Sequence, residues 1–444
     1  MAHSESHDSA TQRVTAADRM SRGALTMVWF SLCSAVFYLL LGATLATSFG
    51  TRNALIGTFL GVVALSGFGY IFARHAIRSG QSCYLLSREI FGTLGASLAT
   101  LIFAVIAIYY AVFESAVVAA AAVKVLKVID YRQACAVVAI YSIALAVGSI
   151  QKWLDKLNTI LLPLYVIGLV ATVVMTIQRY GYSNEWLNIP AANASPGGWW
   201  HCFVAVFGLQ LLMMITLDIG RFGKTEDIRH HSTVTFGFPF YVVTFLVNMS
   251  VGIYLAASVQ MSEVTETAVI DACLLVLGGP LGLFFIWVTQ TRINTANFFL
   301  ASSNLQAFIR DTIRLQMPRI LCTILVGVLV FLFTASGNVL KYILVAVNYQ
   351  AIILTAWVGV ALAYITSAAI SWPDVPAAVE TRTLIPRGLV AWFAGTAAGL
   401  LMMTSGGFVA TLAAPATLAI AFALYRLLGR SRRPAIEAVG GAGG

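Results

Sequence analysis

Long apolar stretches, separated by short polar connections, fill almost the whole chain. They are long enough for helices that cross the hydrocarbon core of a bilayer, which takes about 20 residues. A shorter apolar stretch, 265–277, begins acidic and ends at Gly278-Gly279-Pro280, so we expect an interfacial or re-entrant helix there. The pattern predicts twelve membrane-spanning helices, at residues 24–48, 54–73, 93–122, 133–150, 157–177, 199–217, 235–257, 281–305, 319–336, 339–370, 387–404 and 407–428.

Two of these stretches combine small and polar residues in mid-span. Transporters bind substrates and ions where spanning helices are interrupted, whereas small residues also serve ordinary helix packing. Both interpretations stay open, and the first of them predicts a break in each helix. The residues concerned are Ser31, Cys33, Ser34 and Ala35 in the first stretch and Gly208-Leu209-Gln210 in the sixth.

The eighth stretch carries an unusual set of polar side chains. At about 100° per residue, Gln290, Asn294, Asn297 and Asn304 fall on one stripe of the helix, and Arg292 lies roughly 160° from the middle of that stripe. Lipid cannot satisfy amide groups. We therefore expect the stripe to face a cavity or the bundle interior and to form one wall of a binding site.

The composition is that of an integral membrane protein. The 444 residues are 59% hydrophobic and 10% charged, with a mean hydropathy of +0.86. We expect one membrane domain over residues 23–429, between a disordered N-terminal tail at 1–22 and a C-terminal tail at 430–444. The six cysteines have no paired spacing, which indicates small apolar helix residues rather than a disulfide or a metal site.

Positive charge is distributed unequally between alternate loops. With twelve spans, 20 of the 27 lysines and arginines fall on one side, 6 on the other, and the remaining one is Arg292. Cytoplasmic loops are enriched in Lys and Arg, so we expect both tails in the cytoplasm and the chain in a bacterial inner (cell) membrane. The net charge of +9 reports this orientation and does not indicate nucleic-acid binding.

Two charges lie inside predicted spans, Glu114 in the third and Arg292 in the eighth. A charge at the bilayer centre costs at least ~2.5 kcal/mol, so each needs a partner, water or a function. We expect either a direct ion pair or coupling through a cavity; a purely structural pair is the alternative. Tyr110 shares a helix face with Glu114 at spacing i, i+4, and a ring beside a carboxyl group suits a flat, polar, heteroaromatic ligand.

Asp218 and Arg221 close the sixth span at spacing i, i+3, and we expect a structural or cytoplasmic gating role for them. His230 and His231 are expected in a solvated loop rather than at a metal. The sequence has no nucleotide-binding loop, metalloprotease histidine pair or Ser/His/Asp arrangement. We therefore expect no enzyme activity, no cofactor and no metal site.

These motifs resemble those of the nucleobase:cation symporter-1 family, the cytosine, purine, hydantoin and allantoin permeases. Asp218-Ile219-Gly220-Arg221-Phe222 is similar to the family's D-x-x-R-[FY]. Asn294-Thr295-Ala296-Asn297-Phe298-Phe299 is similar to its N-x-x-N-aromatic run. Tyr110 and Glu114 stand where the family places a ring-stacking Trp and, four residues later, a Gln or Asn.

The resemblance implies an all-α membrane protein with twelve transmembrane helices: a five-plus-five inverted repeat of the amino-acid-transporter type, followed by two extra C-terminal helices. It also implies alternating access, with the substrate midway between helices 1, 3, 6 and 8. Many members couple to Na⁺ through carbonyls of the first helix and hydroxyls of the eighth. The candidate substrate-binding residues are Tyr110, Glu114, Gln210, Gln290, Asn294 and Asn297.

The sequence departs from the family at the ion site. Arg292-Ile293 stands where the family has a hydroxyl pair, so a fixed guanidinium would take the place of Na⁺. Glu114, if it is held protonated, is the candidate proton carrier; if it is ionised, it favours a cationic or N–H-rich substrate. The sequence does not decide between these two versions.

We therefore expect an importer of a nucleobase or related small heterocycle, coupled to H⁺ or acting as a uniporter rather than driven by Na⁺. Its expected partners are that heterocycle, H⁺ or Na⁺, and the lipid bilayer, and no nucleic acid. Two alternatives remain: the same fold carrying another small solute, such as an amino acid or a quaternary amine, and a transport-dead sensor locked by a Glu114–Arg292 pair.

Overall fold

The structure, a computed structural model, describes residues 10–147, 155–192, 197–261, 263–337, 343–367 and 386–430. The outer parts of both predicted tails, 1–9 and 431–444, lie outside these ranges. So do residues 148–150 of the fourth predicted span and the ends of the tenth, 339–342 and 368–370. Five cations of the charge count also lie outside them: Lys152, Lys341, Arg382, Arg432 and Arg433.

The described part of the chain is helical throughout and contains no β-strand. Short 3₁₀ and π-helical segments connect some of the α-helices. The α-helices, in chain order, are α1 Arg22–Trp29, α2 Val36–Phe49, α3 Thr51–Ser79, α4 Cys83–Leu126, α5 Tyr131–Ala146, α6 Asp155–Tyr180, α7 Gly198–Phe207, α8 Leu211–Gly220, α9 Ile228–His230, α10 Phe238–Tyr241, α11 Asn248–Val259, α12 Glu266–Leu277, α13 Gly279–Thr312, α14 Arg319–Ala335, α15 Ile343–Ile365, α16 Arg387–Thr404, α17 Gly407–Thr411 and α18 Ala413–Arg430.

Length and hydropathy identify this bundle as a multi-pass membrane protein. Among the described residues, 6 helices are long and apolar enough to cross a membrane, or 7 if the bent pair α1–α2 forms one span. Helix α13, with 34 residues, is also long enough to cross a membrane, but its Gln, Arg and Asn side chains lower its mean hydropathy. The all-α membrane fold predicted from the apolar pattern is therefore confirmed.

Two glycines with positive φ determine where long helices turn. Gly92 has φ 72° and divides α4, at the position where the third predicted span begins. Gly278 has φ 77° and separates α12 from α13, so the short stretch predicted between the seventh and eighth spans does form a helix. Both φ values lie in the left-handed region, where glycine has no Cβ to clash.

The first span is interrupted, as the small and polar residues predict. A 3₁₀ segment, Phe30–Ser34, follows α1, and Ala35 is extended (φ −62°, ψ 135°) before α2 begins. The two helices are bent by 46°. Ser31 Oγ donates a hydrogen bond to the carbonyl oxygen of Val28 over 2.7 Å, and such side-chain bonds compete with regular helical bonding.

The sixth span is also interrupted, between α7 and α8. Gly208 and Gln210 lie outside both helices, and Gln210 N donates to the carbonyl oxygen of Gly208 over 2.8 Å. The seventh span contains two π-helical segments, His231–Thr235 and Val242–Val247. Single π-helical turns are rare and occur frequently at functional sites.

Small residues hold the second half of the first span, α2, against the seventh. A Cβ atom on Gly42 of α2 would collide with the main chain of Met249, and one on Gly252 of α11 would collide with the main chain of Leu39. The two backbones therefore touch, which is the usual role of glycine between membrane helices. This contact fixes α2 on α11.

The N-terminal tail is ordered from Ala10, so the prediction of a disordered tail is wrong for residues 10–21. Val14 N donates to the carbonyl oxygen of Gly80 over 3.0 Å, and Met20 N donates to that of Phe222 over 2.8 Å. The physical reason is that helix ends leave carbonyl groups unpaired. The tail lies across the ends of α3 and α8 and satisfies some of these groups.

His231 is also placed differently from the prediction of a solvated loop. It is fully buried, and its Nδ1 lies 3.0 Å from Thr235 Oγ1, which in turn lies 2.9 Å from Thr26 Oγ1 of α1. The π-helical turn brings this polar chain against the first span, which the local sequence does not indicate. No metal-binding cluster occurs among the described residues.

Candidate functional site

A small cavity lies between the two interrupted helices. It is lined by Tyr38 of α2, Tyr110 of α4, Leu209 of the α7–α8 break, and Ile293 and Asn297 of α13. Its volume is about 50 Å³, space for one or two water molecules at ~30 Å³ each. Pockets for drug-sized ligands measure ~300 Å³ or more. A heterocycle therefore needs the surrounding helices to move apart before it can bind.

Tyr110 and Asn297 present polar groups at this cavity. The phenol oxygen of Tyr110 accepts a hydrogen bond from Gln350 Nε2 of α15. Asn297 is 4% exposed, and its Nδ2 group has no hydrogen-bond partner among the described residues. Because an unpaired buried donor is costly, this amide is suited to bind an acceptor group of a ligand. Tyr109 faces away from the cavity, as its helix position predicts.

Glu114 and Gln290 lie together near the start of α2. Gln290 Oε1 accepts a hydrogen bond from Val36 N over 3.2 Å. Glu114 is 1% exposed and its carboxyl group faces the Gln290 amide. Glu114 Oε2 and Gln290 Nε2 both lack a hydrogen-bond partner in the described part of the chain. Gln290 thus connects the buried carboxyl group with the second half of the interrupted first span.

Asn294 joins three helices. Its Nδ2 group donates to Ser115 Oγ of α4 over 3.1 Å and to Ser142 Oγ of α5 over 3.3 Å. Asn304, at the end of the same stripe, instead donates to the carbonyl oxygen of Leu300 in its own helix over 2.9 Å. All four residues of the polar stripe are buried, so its predicted orientation toward the bundle interior is confirmed.

Arg292 is directed away from this face, and of the two predicted arrangements the direct ion pair with Glu114 does not form. Its Nη2 donates to the carbonyl oxygen of Phe30 over 2.6 Å, its Nε donates to Asn158 Oδ1 over 3.3 Å, and its guanidinium lies 5.1 Å from the centre of the Tyr165 ring. None of the ion pairs among the described residues involves either charge.

The helical period explains why the ion pair does not form. Glu114 faces Gln290 on the polar stripe of α13, whereas Arg292 lies roughly 160° away around the same helix. The hypothesis of a transport-dead sensor required this ion pair to lock the protein, and the pair is absent among the described residues. What Arg292 contacts instead is the break of the first span, through the Phe30 carbonyl.

Gln210 lies at the break of the sixth span but is not among the residues that line the central cavity. Its Nε2 group donates to the carbonyl oxygen of Phe207 over 2.8 Å, in the last turn of α7. The bond satisfies a carbonyl group that the interrupted helix leaves free. In this conformation its side chain is therefore bound to the end of α7.

Asp218 and Arg221 lie at the other end of α8 and hold the neighbouring segments together. Asp218 Oδ1 accepts a hydrogen bond from Cys83 N, the first residue of α4, over 2.9 Å. Arg221 donates to the carbonyl oxygens of Asp218 and Gln12 over 3.1 Å in each case. The second of these acceptors belongs to the N-terminal tail, which the sequence did not place near this motif.

Sequence reasoning missed two buried residues at the first break, Tyr165 of α6 and Asn248 of α11. Asn248 Nδ2 donates to the carbonyl oxygen of Cys33 over 2.8 Å, and Tyr165 donates to Asn248 Oδ1 over 2.6 Å. Each is a polar residue within an apolar stretch. Neither residue was singled out from the sequence, although a polar side chain in mid-span is a signal that could have identified both.

A larger cavity adjoins the central one, at the end of the bundle opposite to the N-terminal tail. Its volume is about 490 Å³, and it shares Phe37 and Leu209 with the central cavity. Toward its outer end, His201 stacks on Phe49 with ring centres 4.8 Å apart. We call this larger cavity the vestibule. Phe37 and Leu209 lie between the vestibule and the central cavity.

Two interrupted helices that meet at a central cavity beside a polar helix form an architecture found in secondary transporters. The same fold occurs in Mhp1, a nucleobase-cation-symport-1 family transporter, in a closed conformation with bromovinylhydantoin bound. The TM-score is 0.74 at 14% identity, over 96% of each chain. The inward-facing conformation of Mhp1 gives a TM-score of 0.72 at 14% identity, over 95% of each chain.

A Na⁺-coupled sialic acid symporter in a substrate-bound outward-open state also matches. Its TM-score is 0.68 at 10% identity, over 97% of this chain and 94% of the symporter. No protein-family sequence model matches the chain, and no curated protein matches it by sequence. The comparisons confirm the predicted resemblance to nucleobase:cation symporters as a likeness of fold, and these relatives are membrane transporters rather than enzymes.

Proposed function

We propose that the chain is a secondary transporter that imports a nucleobase or a related small heterocycle by alternating access. The observation that carries this proposal is the placement of Tyr110 and the unpaired Asn297 amide at a cavity between two interrupted helices. An aromatic face and amide groups suit a flat ring with N–H and C=O edges. Mhp1, which has this fold, is described with bromovinylhydantoin bound.

The proposed coupling is to H⁺, or transport is uniport, because a fixed charge occupies the region of the first break. The Arg292 guanidinium donates to the Phe30 carbonyl, at the start of the 3₁₀ segment. A carbonyl of an interrupted helix is the type of ligand that binds Na⁺ in transporters. A guanidinium in contact with it supplies permanent positive charge and disfavours a second cation nearby.

For the membrane arrangement we propose twelve spans, made of a five-plus-five inverted repeat and two additional C-terminal helices. Residues 23–429 would form the transporter domain, with cytoplasmic tails at 1–22 and 430–444, in a bacterial cell membrane. The distribution of Lys and Arg between alternate loops supports this orientation. The vestibule that contains His201 would then open to the outside, and the tail side would be the cytoplasmic gate with Asp218 and Arg221.

Another small solute, such as an amino acid or a quaternary amine, is the second candidate. A sialic acid symporter and a manganese transporter of Eremococcus coleocola share the fold, the latter with a TM-score of 0.55 at 12% identity over 96% of this chain and 98% of that one. The fold alone therefore leaves the solute open. The central site is lined by two tyrosine rings, Tyr38 and Tyr110, and by the Asn297 amide, with no acidic group among its lining residues. This lining favours the heterocycle.

Uptake into proteoliposomes tests the function directly. Radiolabelled cytosine, adenine, hydantoin and allantoin are offered separately, with Na⁺ and the proton gradient varied independently. We expect uptake of at least one heterocycle to be unchanged when K⁺ replaces Na⁺. If transport is coupled to H⁺, this uptake should also rise with an inward proton gradient. An excess of leucine or betaine should not compete. Strict Na⁺ dependence would contradict the proposed coupling, and competition only by leucine or betaine would contradict the proposed substrate class.

Tyr110→Ala is expected to weaken binding of the transported heterocycle about 10- to 100-fold. Stacking of a base on an aromatic side chain is worth ~1–3 kcal/mol, and ~1.4 kcal/mol corresponds to a factor of ten. Tyr110→Phe keeps the ring and loses only the bond to Gln350, so its affinity should stay within about threefold. Tyr109→Ala is the matched control and should leave the Kd, measured by scintillation proximity, unchanged.

A further inference from the structure

Asn248 makes an unusual set of hydrogen bonds. It is the first residue of α11 and is fully buried. Its Nδ2 group donates to the carbonyl oxygen of Cys33 over 2.8 Å, and also lies 3.0 Å and 3.2 Å from the carbonyl oxygens of Val243 and Thr244. A single amide therefore bonds both to the break of the first span and to the π-helical segment of the seventh.

Tyr165 completes this arrangement from α6. Its hydroxyl group donates to Asn248 Oδ1 over 2.6 Å and lies 3.4 Å from the carbonyl oxygen of Cys33. The Tyr165 ring makes a second contact: the Arg292 guanidinium lies 5.1 Å from its centre. Three spans thus meet at the Cys33 carbonyl, and every polar group of the Asn248 side chain is used.

We propose that Asn248 is a positioning residue that holds the 3₁₀ segment of the first span in its packed position, with Cys33 shielded from solvent. A buried carbonyl in a non-helical segment must find a donor, and Asn248 provides that donor for Cys33. Helix α11 is suited to this task because Gly42 and Gly252 fix it directly against α2. The seventh span thus holds the second half of the first span by packing and the 3₁₀ segment by a hydrogen bond.

The same contact links the break to the central cavity. The π-helical segment Val242–Val247 contains Phe245, which lines the cavity and packs against Tyr38 with ring centres 5.2 Å apart. A movement of this segment would shift both the cavity wall and the carbonyl groups that Asn248 contacts. The role in transport rests on the proposed function, whereas the position of the 3₁₀ segment can be tested without any substrate.

Cys33 itself supplies the reporter, because its thiol is buried at the break. In the full-length protein in liposomes, the other five cysteines are replaced by alanine, and the rate of Cys33 alkylation by N-ethylmaleimide is measured by mass spectrometry. Asn248→Leu, which has a similar size and no donor, is expected to increase this rate at least tenfold. Tyr165→Phe keeps the ring under Arg292 and should increase it about threefold.

Two controls separate positioning from general stability. Asn53→Leu removes an amide of α3 that donates to the carbonyl oxygen of Phe49, at the end of α2 remote from the break. This variant should leave Cys33 alkylation within twofold. In a second background, with Cys202 of α7 as the only cysteine, Asn248→Leu should leave the alkylation rate unchanged. If both cysteines are alkylated faster to the same degree, Asn248 only stabilises the fold and the proposal is overturned.

An unchanged rate at Cys33 in both Asn248→Leu and Tyr165→Phe would overturn it as well. If the Asn248→Leu variant does not fold, the alkylation rate of the Tyr165→Phe variant tests the proposal, since that substitution removes a single hydroxyl group. These outcomes do not depend on which solute is carried. If no heterocycle is taken up, the proposed function is wrong, but the alkylation rate of Cys33 still tests the role of Asn248. The two proposals are therefore tested independently.

Discussion

Replacing Arg292 by alanine is expected to reduce uptake at least 100-fold. The substitution leaves the partly buried Phe30 carbonyl without the guanidinium that binds it over 2.6 Å and removes the charge that lies over the Tyr165 ring. An unsatisfied buried acceptor costs ~1–3 kcal/mol, and hydrogen bonds to charged groups are the stronger ones. Because these contacts lie at the break of the first span, the loss should appear in transport more than in stability.

Chemical rescue distinguishes the loss of charge from the loss of packing. If the guanidinium takes the place of a cation, methylguanidinium added to Arg292→Ala should restore part of the uptake. Arg292→Ser, which adds a hydroxyl group and space, should gain a dependence on Na⁺ that the parent does not have. Arg292→Lys keeps a point charge without the planar fork, and we expect about a tenfold loss.

Arg319→Ala is the matched control for Arg292. Arg319 also lies over an aromatic ring, 4.3 Å from the centre of Phe299, and donates to a carbonyl oxygen, that of Ala146. It belongs to α14, away from the first break. Its replacement should change uptake by less than threefold and create no Na⁺ dependence. Full activity of Arg292→Ala, or strict Na⁺ dependence of the parent, would show that the guanidinium is not an ion surrogate.

Glu114→Gln is expected to abolish the stimulation of uptake by an inward proton gradient. Glu114 is buried beside Gln290, and its Oε2 atom has no hydrogen-bond partner among the described residues. A carboxyl group that gains and loses a proton between two conformations carries that proton with the substrate; an amide of the same shape cannot. Exchange of labelled for unlabelled substrate, which needs no net proton movement, should remain within threefold.

Glu89→Gln serves as the control for removing a carboxylate from α4. Glu89 accepts hydrogen bonds from Arg13 and from Tyr364 at the tail side of the bundle. Its replacement should weaken the attachment of the tail but leave the response to the proton gradient intact. If Glu114→Gln still responds to the gradient as the parent does, Glu114 is not the proton site, and a uniport mechanism or another carrier takes its place.

The helices and the polar face were readable from the sequence because the bilayer enforces simple local rules. A span needs a fixed apolar length, and polar side chains must turn inward. This is why the burial of the α13 stripe was predicted. The small and polar residues at Phe30–Ser34 and Gly208 allowed either a break or ordinary helix packing, and the structure has the break. Those features depend on residues close together in the chain.

The partners of each polar group were decided only by the tertiary structure. The helical period gave the direction of Arg292 but not the neighbour in that direction, which proved to be Phe30, Asn158 and Tyr165 rather than Glu114. The tail appeared disordered because it has no apolar run, yet the helix ends that it satisfies belong to distant segments. By itself the sequence determined the membrane class, the all-α fold and the inward polar face. Which helices meet at the Cys33 carbonyl depends on long-range packing, which no local pattern encodes.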